Sequence, residues 1–87
     1  MKPHLQIKLR YFASIREALG TSSEAYASQA RSLGELRSEL MARSSAYAEA
    51  LAPGKAVRMA LNQAMSEASA TLSEGDEVAF FPPVTGG

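Results

Sequence analysis

The chain has 87 residues, no cysteine, one histidine, and nine Lys and Arg balanced by nine Asp and Glu. That length makes one small domain, near the lower limit for a self-sufficient hydrophobic core. The composition excludes a disulfide, a thiolate metal site, a cysteine nucleophile and any histidine-built metal cluster or triad, since His4 is the sole imidazole. The charge is unevenly placed: residues 1–44 carry seven basic and four acidic side chains, residues 45–87 two and five. A nucleic-acid surface needs a basic stripe interleaved with aromatics, so no nucleic-acid partner is expected. Glu67, Glu74, Asp76 and Glu77 suit either a positively charged partner surface or solvated turns. No stretch approaches twenty apolar residues, and since residues from Leu5 alternate instead of running continuously apolar, no signal peptide is expected. A soluble, cytoplasmic protein without a membrane partner is expected.

In chain order, Leu5, Ile7, Leu9 and Tyr11 alternate with Gln6, Lys8 and Arg10, the period of a half-buried strand. Phe12 breaks the alternation and begins the exit. Ser14 to Leu19 reads as a short helical turn stopped by Gly20, a residue suited to the left-handed position after a helix. Ser23 to Ser28 forms a second strand. Ser32 followed by Glu35 is a capping-box pattern. Leu33, Leu36, Leu40 and Met41 then form one apolar helical stripe. Glu39 and Arg43, four apart, suit an ion pair on the wet face. Ala46 to Leu51 suggests a further short helix ended by Pro53-Gly54. Val57, Met59 and Leu61 mark another strand, Asn62-Gln63 a turn, and Ala64-Met65 the continuation beyond it. Ser73 to Asp76 is a turn, and Glu77 to Phe81 the last strand. This order predicts an α+β domain over residues 1–81, one sheet with one main helix across one face. Residues 82–87 follow as an extended tail.

Side chains alternate across a strand, so Val78 and Phe80 share one face of the last strand, Ala79 and Phe81 the other. One helix covers only one face, which assigns Phe80 to the core and leaves Phe81 partly exposed as an anchor for a partner. Pro82 and Pro83 end the strand and launch the tail as a stiff extended rod. Val84 and Thr85 offer side chains to a partner groove. Gly86 and Gly87, lacking a Cβ, make a tip slim enough for a narrow slot. Met65 joins Phe81 as a contact candidate if the Asn62-Gln63 turn brings it beside the last strand, although a methionine equally suits core filling. Arg16 is a candidate for a polar contact at the rim.

The terminal run Glu77-Val-Ala-Phe-Phe-Pro-Pro-Val-Thr-Gly-Gly87 resembles, at every position, the small sulfur-carrier subunits of molybdopterin synthases within the ubiquitin-like β-grasp families. Tyr11-Phe12-Ala13, Arg16-Glu17, Gly20, Gly54-Lys55, Leu61-Asn62-Gln63 and Gly75-Asp76 extend the likeness over nearly the whole chain. Two features depart from it: residues 66–71 are unusually small and polar, and Gly34 is a weak helix former. The resemblance implies a β-grasp fold with a mixed sheet, its first and last strands side by side. It implies that an adenylyltransferase similar to ubiquitin-activating enzymes uses ATP to adenylate the Gly87 carboxylate. A sulfur donor protein then displaces AMP, leaving a C-terminal thiocarboxylate (1-thioglycine). The tail, residues Pro82 to Gly86, would carry it into the large synthase subunit, where sulfur passes to cyclic pyranopterin monophosphate. Two small subunits flanking a dimer of large ones would make a heterotetramer.

The residues agree with this division of labour. A carboxylate is a poor electrophile without a good leaving group, and this chain has no cysteine or glycine-rich phosphate loop to activate its own. It is expected to be a non-catalytic carrier that binds no cofactor. Three alternatives stay open on the residues: a sulfur carrier for another pathway such as thiamine thiazole formation, a protein modifier, and an interaction domain with an inert tail.

Overall fold

Burial falls on alternate residues of the first strand, β1 (Leu5–Tyr11), where Ile7, Leu9 and Tyr11 are buried and Gln6, Lys8 and Arg10 exposed. The structure, a computed structural model, describes residues 4–83. After β1 come α1 (Ala13–Leu19), β2 (Ser23–Ser28), α2 (Leu33–Met41), α3 (Ser45–Ala50), a 3₁₀ turn (Pro53–Lys55), β3 (Arg58–Leu61), β4 (Ala64–Ser66) and β5 (Glu77–Phe81). The strands form one sheet in the order β2-β1-β5-β3-β4. β1 and β5 run parallel, and every other neighbouring pair is antiparallel. The α+β class is as the element order predicts, and the adjacency of first and last strands is as the resemblance implies.

Directly opposed residues share a face, so the register sorts the sheet. Leu9 and Tyr11 lie opposite Val78 and Phe80, which lie opposite Leu61 and Met59. This face meets Ile15 of α1, Leu33, Leu36 and Leu40 of α2, and Ala50 and Leu51 at the end of α3. Tyr11 and Phe80 stack with ring centroids 6.0 Å apart. Full burial of each large apolar side chain contributes about 1.5–3 kcal/mol, and among the described residues nine such side chains have under 2% exposure. The other face carries no helix packed on the core.

Local signals set the helix ends. Gly20 closes α1 at φ 74°, donating its N–H to the Arg16 carbonyl. Ser32 Oγ accepts from the Glu35 amide at 3.2 Å, and Glu35 Oε1 accepts from the Arg31 amide at 2.8 Å. Ser44 Oγ caps α3 by accepting from the Tyr47 amide at 3.4 Å. Arg37 Nε and Nη2 donate to the Leu51 and Ala52 carbonyls at the end of α3, at 2.7 and 2.9 Å. A cation there also suits the helix dipole.

The two departures from the family pattern account for each other. The Gly34 amide donates to the Ala68 carbonyl at 2.9 Å. A Cβ on Gly34 would sit 3.2 Å from the Ala68 Cβ and 3.3 Å from its carbonyl oxygen. The small residues of the 66–71 segment let it lie directly on the first turn of α2.

One expectation about charge is corrected, and of two open readings of the later acids the structure favours turns. Glu39 and Arg43 do not pair: Glu39 accepts from Ser28 Oγ and the Gln29 amide, while Arg43 bridges to Glu24 at 3.2 Å. Tertiary partners outcompete an exposed i,i+4 pair worth a few tenths of a kcal/mol. The acids of the second half are also largely engaged within the chain. Glu77 pairs with Arg10 at 3.2 Å, Glu74 accepts from the Gln6 amide, and Asp76 accepts from the Ser73 amide and Asn62. They build turns and a strand pair rather than a separate acidic surface.

Glu24 gathers the hydroxyls of Tyr11 and Tyr47, at 2.8 and 2.7 Å, with the Arg43 guanidinium. Arg43 lies over the Tyr26 and Tyr47 rings, tying β2 to the helical layer. Burial alone would raise the Glu24 carboxyl, but hydrogen bonds from Tyr47, Tyr11 and Arg43 outweigh it and hold the group below its ordinary value of 4.5. A depressed carboxyl stabilises the fold above its unfolded pKa, and that contribution disappears as pH falls through the folded value. Unfolding by denaturant at a series of pH values should show stability falling below about pH 4.5. Glu24→Gln should flatten that slope and cost about 1–3 kcal/mol at neutral pH.

Candidate functional site

The tail leaves the middle of the sheet. β5 is flanked by β1 and β3, so its backbone is engaged on both edges through Phe80 and on the β3 edge through Phe81. Phe80 is fully buried and Phe81 half-buried on the opposite face, as the alternation predicts. Pro82 and Pro83 are half-buried and non-helical, beyond the last ladder pair. The tail candidates Val84, Thr85, Gly86 and Gly87 lie outside the described residues.

Around Phe81 the helix-free face gathers an apolar patch. The Phe12 ring meets the Phe81 ring edge-on at 6.3 Å and is 41% exposed. Arg10 places its guanidinium 5.6 Å from the Phe12 ring centroid while pairing with Glu77. Arg58 lies opposite Phe81 on β3. Arg10, Phe12, Gln63, Glu77 and Ala79 line a shallow cleft of about 240 Å³. Apolar side chains ringed by cations form the composition of a protein-binding surface, where aromatics and arginine carry most of the binding energy.

Backbone geometry sets this patch. Ala13 adopts a left-handed φ of 51° immediately after Phe12 and turns the chain from β1 into α1. Asn62 and Gln63 both have positive φ, 50° and 71°, in the two-residue hairpin turn between β3 and β4. Asn62 holds that turn against β5: its amide donates to the Glu77 carbonyl at 2.8 Å and its Oδ1 accepts from the Glu77 amide at 3.0 Å.

Met65 is 57% exposed, which excludes the core-filling role. It does not lie beside the last strand, because β3 intervenes between β4 and β5. Instead Met65 opposes Ala60, which opposes Ala79, forming one row on the helix-free face. Ala79 in turn opposes Arg10, so small residues at the two middle positions leave the row low between Met65 and Arg10, with Phe81 in the neighbouring row opposite Arg58. Arg16 is exposed on α1, and among the described residues its side chain enters no hydrogen bond or ion pair. Phe12 and Arg10 are the site residues that sequence reasoning missed. The signal was parity: Phe12 continues the even-numbered, wet side of β1, where an aromatic ring has no core to fill. Among the described residues no group of acids and His4 could hold a metal ion.

The ThiS family model matches residues 9–87. The chain belongs to the ThiS family. Its sheet order, with parallel first and last strands, is that of ubiquitin-like β-grasp proteins. Among ThiS-family relatives, the chain is 43% identical over 81 residues to the molybdopterin synthase sulfur carrier subunit of Escherichia coli, covering 93% of this chain and 99% of that one. The solution structure of the Haloferax volcanii HVO 2177 protein superimposes with a TM-score of 0.78 at 28% identity, covering 100% of this chain and 91% of that one. A complex of subunits 1 and 2 of the molybdopterin-converting factor from Helicobacter pylori contains a chain matching at a TM-score of 0.64 and 28% identity, with coverages of 95% and 100%.

The two adjacent phenylalanines of this ThiS-family chain should separate fold from surface. Phe80→Ala should cost about 3–5 kcal/mol. Phe81→Ala should cost less than about 2 kcal/mol, since only an edge-on ring contact and partial burial are lost. Denaturant unfolding of both variants checks this, and equal losses would place Phe81 in the core.

Proposed function

We propose that this chain is the sulfur carrier subunit of a molybdopterin synthase, a co-substrate recharged with sulfur in each cycle rather than a catalyst. The observation that carries this reading is the 43% identity to the Escherichia coli sulfur carrier subunit over nearly the full length of both chains. In this reading the Gly87 carboxylate is the cargo site. An ATP-using adenylyltransferase joins a carboxylate oxygen to the α-phosphorus of ATP and releases pyrophosphate. The resulting acyl adenylate has AMP as its leaving group. A thiol reductant frees sulfide from a persulfide on the donor protein, the sulfide attacks the acyl carbon, AMP departs with the electron pair, and a thiocarboxylate remains. That group is far more acidic than a thiol, stays ionised at neutral pH, and attacks cyclic pyranopterin monophosphate on the way to the dithiolene.

The described residues supply docking and aim. Pro82 and Pro83 continue directly from a strand paired on both sides, which fixes the base of the tail. Val84, Thr85 and Gly86 then occupy the partner's slot. Phe81, Phe12 and Met65 form the apolar contact, with Arg10 and Arg16 at its rim. The two-subunit Helicobacter pylori complex supports a large-subunit partner, and the reading extends this to a heterotetramer in the cytoplasm. The acid-base groups belong to that large subunit.

Intact-mass measurement after incubation with ATP, a sulfur source and the activating enzyme tests the reading. A gain equal to replacing one oxygen by sulfur, abolished by deleting Gly87, is expected. No gain with a demonstrably active enzyme would remove the sulfur-carrier function. Separately, Phe12→Ala and Met65→Ser should each weaken large-subunit binding by about tenfold or more, measured by titration calorimetry on folded variants.

A further inference from the structure

Five strands leave two edges, and they differ. β4 presents three residues, whereas β2 presents six, Ser23–Ser28, with no strand beyond it. The Tyr11 amide donates to the Ser22 carbonyl at 2.9 Å. With the β1–β2 register, this makes Leu9–Glu24, Ile7–Tyr26 and Leu5–Ser28 the hydrogen-bonded pairs. The backbone groups of Ser23, Ala25 and Ala27 therefore point outward from the sheet. Among these, the Ser23 carbonyl accepts from Thr21 Oγ1 at 2.9 Å. Natural edges are blunted by lysine, proline, bulges or covering loops, and β2 contains no Lys or Pro.

The same three residues put only small side chains on the helix-free face, opposite Arg10, Lys8 and Gln6. Lys8, Arg10, Ser23, Ala25 and Glu77 bound a broad cleft of about 560 Å³ there. Long cationic side chains on β1 thus overlook a low, open edge. Among the described residues Lys8 enters no ion pair, and the two carboxylates lining the cleft are both engaged, Glu77 by Arg10 and Glu24 by Arg43 and the Tyr11 and Tyr47 hydroxyls.

We propose that the β2 edge accepts an extended, acidic segment of a partner protein as an added strand. Its outward-facing ladder groups pair with Ser23, Ala25 and Ala27. Side chains opposite those residues rise on the helix-free face, where alternate carboxylates reach over the small side chains to Lys8 and Arg10. Pockets for alternate side chains give such strand addition its specificity. A second copy of this chain fits less well, because pairing β2 with β2 sets Lys8 and Arg10 of both copies on one face. The edge lies two strands from β5, so occupation of β2 leaves the base of the tail open.

The test is an NMR titration of the full chain with a blocked peptide of alternating valine and glutamate, with a valine–lysine peptide as control. Expected are shifts and slowed amide exchange at Ser23, Ala25 and Ala27 with the glutamate peptide alone, weakened by added salt. Lys8→Glu should reduce affinity by about tenfold. Ala25→Pro removes one outward N–H, a substitution edge strands tolerate, and should abolish binding. If that variant unfolds, the Lys8 reversal and the lysine control still decide. Shifts centred on Phe12, Met65 and Phe81, equal response to both peptides, no response at millimolar peptide, or self-association through β2 would each overturn the proposal.

Discussion

The structure depends on the parallel pairing of β1 with β5. Lys8 to Tyr11 lie beside Glu77 to Phe80, so the two ends of the chain meet in the middle of the sheet. Every other element is placed by that contact. It buries Leu9, Tyr11, Val78 and Phe80 together under the helices, and it seats Phe12, whose amide donates to the Phe80 carbonyl at 3.1 Å, next to Phe81. A contact between chain ends forms against a large loop-closure entropy. In return, the strand that carries the tail is held on both sides and cannot fray independently of the core.

The helices then divide the labour of the two sheet faces. One face is spent on the core, where Phe80 belongs. The other bears Phe12, Phe81 and Met65 with Arg10 and Arg58 among them, and small residues at Ala60 and Ala79 keep its centre low. The proposed sulfur-carrier role, in which other proteins activate the carboxylate and use the sulfur, calls for such a face.

Much of this was legible in the residues. Period-two alternation placed β1 and β3, the Ser73–Asp76 turn announced β5, the Ser32–Glu35 cap placed α2, and parity separated Phe80 from Phe81. What escaped depended on contacts between distant segments. Strand order decides where Met65 lies, and nothing local states that β3 separates β4 from β5. The Glu39–Arg43 spacing was correct for a helix, but Glu24, Ser28 and the Gln29 amide offered better-placed partners. Counting charges along the chain suggested an acidic half, while folding set Glu77 against Arg10. Gly34 looked weak until Ala68 was found against it. Phe12 was visible as an aromatic on the wet parity of β1, and its meaning emerged only once Phe81 stood beside it.

The central claim is that partners cover the helix-free face around the base of the tail. Amide hydrogen exchange of the chain, alone and bound to the large synthase subunit, tests it most directly. The account predicts added protection at Phe12, at the β3–β4 turn near Gln63 and Met65, and at Phe81, with α2 and α3 unchanged. Protection confined to the helical layer, with Phe12 and Phe81 exchanging as in the free chain, would contradict it.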